Sequence, residues 1–153
     1  MAYYRTEVVD AAVVTLDTIL HLKGDGSVLA KLSEFIVSSN VAPVEQTQAY
    51  TVIRTTSTGT TPGDSTLGEV AVDPLSAAAT VTAEGAGYGT EPTFSDPAGV
   101  MMRFGVHQKA TFRWVAYPGR EIHATVAANN GLGITCVFTS TSFGVVMSAE
   151  WEE

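Results

Sequence analysis

The sequence has little charge and almost no cysteine. Charged residues make up 16% of the 153 residues, below the usual quarter, and Cys136 has no second cysteine with which to form an intrachain disulfide. No apolar run approaches the length of about 20 residues that a membrane-spanning helix needs. The first residues include an acid, Glu7, and lack the apolar stretch of a secretion signal. We therefore expect no membrane partner and a protein that folds or assembles in the cytoplasm.

Charge is completely absent from one long segment, since residues 124–149 contain no charged side chain. The pattern of this segment predicts β-strands joined by turns, and the outward face of a strand usually carries some charge. Here that face would consist of Thr, Ser, Gly and Val. We therefore predict that both faces of these strands are covered, one by the core and the other by something else, such as another subunit.

Basic residues are also scarce, and the formal net charge is −8. Such a chain is repelled by nucleic acids and by anionic lipid. Half of the eight basic residues fall within one short segment, but binding to a polyanion needs several clustered cations, so they are interpreted as solvated strand edges: Arg103, Lys109, Arg113 and Arg120. We expect no direct binding to nucleic acid and a partner surface that is basic or of mixed charge.

What the chain does contain points to an all-β fold. It has 14 Gly, 6 Pro and many Thr, Ser and Val, which favour turns and strands over helices. Alternating patterns predict strands over residues 13–22, 47–56, 112–115 and 132–138. Residues 27–38 fit either a helical stripe or a strand, and the all-β surroundings favour the strand.

Turn signals separate these strands and predict two hairpins. One is residues 23–26, Lys-Gly-Asp-Gly, and the other is the Asn-Gly pair within residues 129–131. Residues 55–64 and 84–100 predict long loops. The count of about eight strands predicts one β-sandwich of jelly-roll type over residues 13–153.

Residues 1–12 show no clear period and are predicted to form a short N-terminal arm. Tyr3 and Tyr4 lie in this arm. Two aromatic side chains there can dock on a neighbouring subunit or pack on their own subunit, and both interpretations stay open.

No catalytic or metal-binding motif is recognisable. The three histidines, His21, His107 and His123, are far apart in sequence and are interpreted as surface or strand-edge side chains. The glycines of residues 85–89 lack the helix and the lysine of a phosphate loop, and no nucleophile elbow is present. Cys136 lies in an apolar strand and is interpreted as a buried, inert thiol. We therefore predict no cofactor, no metal and no enzymatic activity.

The aromatic residues Trp114, Tyr117 and Trp151 leave one alternative open. They could form a platform for a sugar, as in many lectin-like sandwiches. Both tryptophans also fit apolar alternation, which favours a place in the core, and Tyr117 at a turn is the freer side chain. A carbohydrate-binding β-sandwich is therefore retained as an alternative function.

A resemblance to a known family is carried by five segments, residues 46–54, 112–115, 117–121, 127–132 and 145–151. Together they resemble jelly-roll cement (decoration) proteins of tailed-phage heads. The resemblance implies a non-enzymatic virion protein that forms a homotrimer on the outer capsid surface. It would sit there between capsomers of the major capsid protein and stabilise the head, after assembly in the host cytoplasm. It implies no catalytic or metal residue. Another virion role, in a head fibre, neck or tail, remains an alternative.

The hypothesis that the chain assembles with other subunits depends on the strand predicted over residues 132–138. One of its faces is predicted to be core and comprises Leu132, Ile134, Cys136 and Phe138. The opposite face, continued into the following turn, is Thr-rich and is predicted to meet another subunit. With the two tyrosines of the arm, the candidate interface residues are Tyr3, Tyr4, Thr135, Val137 and Thr139.

Overall fold

A computed structural model of the chain describes residues 1–40, 42, 45–60, 67–85, 87–95 and 98–153. Within these ranges the chain forms strands and no helix, which confirms the all-β prediction. The strands are β1 (Tyr3–Val13), β2 (Thr18–Lys23), β3 (Lys31–Ser39), β4 (Thr47–Thr55), β5 (Val70–Ala71), β6 (Thr82–Gly85), β7 (Val100–His107), β8 (Phe112–Val115), β9 (Ile122–His123), β10 (Gly131–Phe138) and β11 (Phe143–Glu152).

The strands form two antiparallel sheets. The first sheet has the order β5-β1-β11-β3-β8, with β9 also paired to β3, and the second has the order β6-β2-β10-β4-β7. The sheets pack face to face, since Phe35 of β3 meets Phe104 of β7 with ring centroids 5.4 Å apart. This is the β-sandwich that the sequence predicted.

The core lies between the sheets because alternate residues of each strand turn inward. On β11 the inward residues include Met147, Ala149 and Trp151, all buried. The Trp151 ring stacks on Tyr4 of β1 at 5.9 Å. Phe35, also fully buried, stacks on Trp114 of β8 at 5.5 Å. Large aromatic side chains thus occupy the inside of the sandwich along its length.

The N-terminal arm predicted for residues 1–12 is instead mostly strand. β1 pairs with β11 from Tyr3 opposite Glu152 to Val13 opposite Phe143. The alternation of polar and apolar residues in β1 is hard to recognise from the sequence, because polar Thr6 is buried and apolar Val9 is exposed. The prediction of an arm is therefore wrong over residues 3–12.

The two turns predicted as hairpins join strands of different sheets. Residues 24–30 lead from β2 in the second sheet to β3 in the first, and residues 124–130 lead from β9 in the first to β10 in the second. Asn129 has a positive φ, 65°, within a turn closed by the Asn130 N–H and the Ala127 carbonyl, whereas Gly131 of the Asn-Gly pair already belongs to β10. The two connections bind each other, because the Gly24 N–H donates to the Asn130 carbonyl at 2.7 Å. The hairpin assignment is therefore wrong, and the second turn lies at residues 127–130, just before the predicted Asn-Gly pair.

The strand predicted over residues 13–22 is split in two. β1 ends at Val13 and β2 begins at Thr18. Between them the Val14 N–H donates to Asp17 Oδ2 at 2.7 Å, and Leu16 has a φ of 76°.

The predicted loops 55–64 and 84–100 lie partly outside the described residues. Their described parts include the last residue of β4, the last two residues of β6, the first residue of β7 and isolated bridges such as Thr60 with Thr90.

Candidate functional site

The outward face of the first sheet is an accessible surface built by regular structure, and we call it the open face. One row of cross-strand partners runs over five strands, from Val70 through Arg5, Glu150 and Glu34 to Val115. Glu150 and Glu34 are half-buried at the centre, and the other three are exposed. The face is therefore accessible from one edge of the sheet to the other.

Apolar side chains are distributed over the open face. Val70 is 66% exposed, Val9 is 59% exposed and Val115 is 50% exposed. Val146 and Ile36 lie between them and are half-buried. Such a mixture of apolar and charged groups is compatible with a protein-binding surface, because protein interfaces as a whole are about as apolar as the rest of a protein surface.

The charges of the open face are partly neutralised within the chain. The Arg113 guanidinium donates two hydrogen bonds to Glu34, at 2.9 and 2.8 Å, and these bonds hold the pKa of the Glu34 carboxyl below its ordinary value. At the rim the Lys31 ammonium donates to the buried Glu152 carboxylate at 2.9 Å. A partner would meet a surface of mixed charge, not one of a single sign.

The structure separates the two tyrosines that were predicted as interface residues. Tyr3 lies at the rim of the open face, partly exposed, and its hydroxyl donates to Glu152 at 3.4 Å. Tyr4 points the other way, is buried beside Trp151, and donates to the Ala77 carbonyl at 3.0 Å. Tyr4 is therefore a core residue, and its assignment to an interface is wrong.

The other three predicted interface residues lie on or after β10 in the second sheet. Thr135 is fully buried, and its hydroxyl lies 3.3 Å from that of Thr18. Leu16 and Phe94 of the same chain line a pocket together with Thr135 and Val137, which is half-buried. The covering predicted for this face is present around Thr135, but this chain provides it, so the interface assignment of Thr135 is wrong.

Thr139 and Phe138 mark the end of the charge-free strand. Thr139 is half-buried and its hydroxyl donates to the Thr141 carbonyl at 2.7 Å. The register between β10 and β4 shifts between Cys136 and Phe138, a β-bulge. The bulge takes Phe138 out of the core, and its side chain is 56% exposed. The prediction that Phe138 shares the core face is therefore wrong, whereas Leu132, Ile134 and Cys136 are buried as predicted.

A buried polar cluster lies on the outward side of the second sheet. The His21 Nε2 is 2.8 Å from the Thr55 hydroxyl, and its Nδ1 is 3.4 Å from Glu84 Oε2. Lys23 donates to the other oxygen of Glu84 at 3.2 Å. Burial raises the pKa of the Glu84 carboxyl, but the hydrogen bonds from His21 and Lys23 outweigh it, so the net shift is downward.

The order hydroxyl, imidazole and carboxylate resembles a nucleophile with its base and orienting acid. Thr55 and His21 are fully buried, however, so a substrate cannot reach the hydroxyl. What these contacts do is join strands β2, β4 and β6. Sequence spacing missed the cluster, and His21 is not the surface side chain that was expected. The available signal was β2 itself, where polar His21 and Lys23 alternate with apolar Leu20 and Leu22.

The fold also shows where the other residues considered as candidates for binding or catalysis lie. Trp114 and Trp151 pack in or against the core, so they do not form a sugar platform with Tyr117, which projects from a turn. Cys136 is buried, and burial raises the pKa of its thiol to about 12. Glu153 binds the indole N–H of Trp151 at 3.1 Å.

Among the described side chains, no group of three or more His, Cys, Asp or Glu residues is arranged to hold a metal ion. No helix in the described part of the chain is long and apolar enough to cross a membrane. The chain matches no family model, no curated protein sequence and no solved structure.

Proposed function

We propose that the protein is a non-enzymatic virion structural protein, a trimeric cement protein on the outer capsid surface of a tailed phage. In this role it binds between capsomers formed by the major capsid protein and stabilises the assembled head. The observation that carries the proposal is the open face, a five-stranded sheet surface on which apolar and charged side chains are intermixed. A rigid sandwich with such a face is suited to binding other proteins.

The charge-free run contributes to this surface. Its last seven residues, 143–149, belong to β11, whose outward residues Val146 and Ser148 lie in the middle of the open face. They pair with Val9 and Glu7 on one side and with Ser38 and Ile36 on the other. The segment that first indicated burial on both faces therefore reaches the candidate binding surface.

The strand order supports the fold that the proposal requires. Without the three short strands β5, β6 and β9, the first sheet reads β1-β11-β3-β8 and the second β2-β10-β4-β7. We infer that these eight strands form a jelly roll, in which the chain winds between two four-stranded sheets. Jelly rolls are common in viral capsid proteins, which is consistent with a virion role.

Linkage explains how such a protein stabilises a shell. A ligand that binds only the assembled lattice lowers the free energy of that lattice by its binding free energy. A trimer matches three-fold positions and contacts several capsid subunits together, so modest contacts combine through avidity. No chemical step is required of the protein.

Co-sedimentation with intact capsids of the encoding phage tests the proposal, with immunogold electron microscopy to locate the protein. We expect it to coat the outer surface, and Val115→Asp to abolish the coating because it places a new charge in the open face. Val126→Asp is the matched control, because Val126 is exposed but lies outside both sheets. Failure of the wild type to bind, or equal binding by both variants, would contradict the proposal.

Light scattering after size-exclusion chromatography tests the oligomer separately. A trimer elutes with three times the 16.1 kDa mass of the chain. A clean monomer at micromolar concentration would overturn the trimer, while the capsid experiment would still decide whether the chain binds heads.

A further inference from the structure

Phe138 projects from the outward side of the second sheet. Its cross-strand partner on β4 is Ala49, and the partner of Ala49 on β7 is Gly105. Because Ala49 and Gly105 have little or no side chain, the Phe138 ring stands above this row and is 56% exposed. The backbone that follows the ring is fixed, since the Thr139 N–H donates to the Thr15 hydroxyl at 3.2 Å. An aromatic ring is thus held out from a surface of small side chains.

An apolar pocket, open to solvent, lies on the same side of the sheet. Its volume is about 140 Å³. Ile53 of β4 contributes to the floor, and Val137, next to Phe138 in the chain, forms part of one wall. Leu16 and Phe94 form further walls from two connections. An apolar cavity of about 150 Å³ accommodates one benzene ring, so this pocket has the size and the lining for one aromatic side chain.

The chain therefore carries a projecting ring and a pocket of matching size, and its charge indicates that a second copy joins them. With 16 acidic and 8 basic residues, two copies repel each other unless they meet where acids are few. Phe138 lies within residues 124–149, which have no charge. The charged side chain in the pocket lining is Arg103, a cation. The ring and the pocket can thus meet without placing one acid against another.

We propose that copies of the chain associate through this side of the second sheet, with Phe138 of one copy inserted between Leu16 and Phe94 of the next. The inference rests on the trimer of the proposed function and names the surface that forms it. A ring and a pocket are different surfaces, so the contact is heterologous, and three such contacts close about a three-fold axis. The open face lies on the opposite side of each sandwich and stays accessible to capsid subunits.

Light scattering after size-exclusion chromatography of the whole chain tests this contact with two complementary variants. Phe138→Ala removes the ring and keeps the pocket. Val100→Trp keeps the ring and fills the pocket from a half-buried position on β7, beside Ile53 and away from Phe138. Each variant alone should elute at 16.1 kDa, because loss of an aromatic anchor weakens a contact about 30-fold. An equal mixture should give a heterodimer of twice that mass, because one ring and one pocket remain.

Tyr117→Ala is the matched control, since Tyr117 is an exposed aromatic side chain outside the second sheet, and this variant should keep the trimer. Circular dichroism checks that each variant keeps its β-structure, and Phe138→Ala decides alone if Val100→Trp does not fold. If Phe138→Ala still forms a trimer, or if the two folded variants stay monomeric when mixed, the inference is overturned and the trimer itself stands. A monomeric wild type overturns the trimer and this contact together, whereas co-sedimentation with capsids still decides the capsid role.

Discussion

Replacing Glu84 by Gln is expected to weaken the fold at neutral pH. The substitution keeps the size of the side chain but removes the negative charge that His21 and Lys23 contact at 3.4 and 3.2 Å. A hydrogen bond to a charged group contributes about 1.5–3 kcal/mol. The Gln amide carries no negative charge, so the bond from Lys23 weakens, and the His21 contact is kept only if the imidazole accepts from the Gln N–H₂. We therefore expect a loss of about 2 kcal/mol, which lowers the melting temperature of a chain of this size by about 4–8 °C.

The loss should depend on pH in a definite direction. The folded-state pKa of Glu84 lies below its ordinary value of 4.5, because the bonds from His21 and Lys23 outweigh the effect of burial. A carboxyl with a lowered folded pKa contributes stability that is fully present above the unfolded pKa and is lost as the pH falls through the folded pKa. The difference between wild type and Glu84→Gln should therefore be constant around pH 7 and shrink below about pH 4.5.

Urea unfolding at a series of pH values between 7 and 3.5 measures this difference, with each free energy taken by linear extrapolation. Glu7→Gln is the control, because Glu7 is an exposed carboxylate on the first sheet. Its effect should stay within about 0.5 kcal/mol. The reasoning fails if the two variants are equally stable at pH 7. It also fails if the deficit of Glu84→Gln does not change as the pH is lowered.

Three further predictions follow from the core. Phe35→Ala should cost about 3–5 kcal/mol in urea unfolding, because it empties a fully buried aromatic site; a loss below 1 kcal/mol would contradict that placement. Gly131→Ala should cost about 1–3 kcal/mol, because the new Cβ overlaps the Leu22 carbonyl and lies 2.9 Å from His21 Nε2. Gly105→Ala, where no atom would lie nearer than 3.7 Å, should be neutral in the same measurement. The Cys136 thiol should resist a disulfide reagent at pH 8 until the protein unfolds, since burial raises its pKa to about 12; rapid native labelling would refute this.

Strand positions could be predicted from alternation, but sheet membership could not. The prediction for residues 47–56 matches β4 (Thr47–Thr55) almost residue for residue, because Tyr50 and Val52 alternate with smaller side chains. The turns before β3 and before β10 were assigned to hairpins, yet both cross between sheets. A Gly- or Asn-rich turn only requires the backbone to reverse, and local residues do not determine which sheet the next strand joins.

For single side chains of the candidate sites, too, the local sequence does not determine which distant residues they contact. The charge-free run did indicate burial, but it could not indicate that Leu16 and Phe94 of the same chain provide the cover. A single β-bulge reverses the orientation of Phe138, and no residue type signals it. The pairing of His21 with Glu84 depends on the register between β2 and β6, which joins residues 63 positions apart. The open face was not predicted, because its polar and apolar side chains come from five strands.

The position of β11 has a consequence for how the chain reaches this fold. β11 lies between β1 and β3, so the middle of the first sheet cannot form until residues 143–152 have been synthesised. Until then β1 and β3 present unpaired backbone edges on which other chains can add strands. Contacts that join such distant segments slow folding. A chain truncated before Phe143 should therefore aggregate, and rapid completion of β11 protects the nascent protein from the same fate.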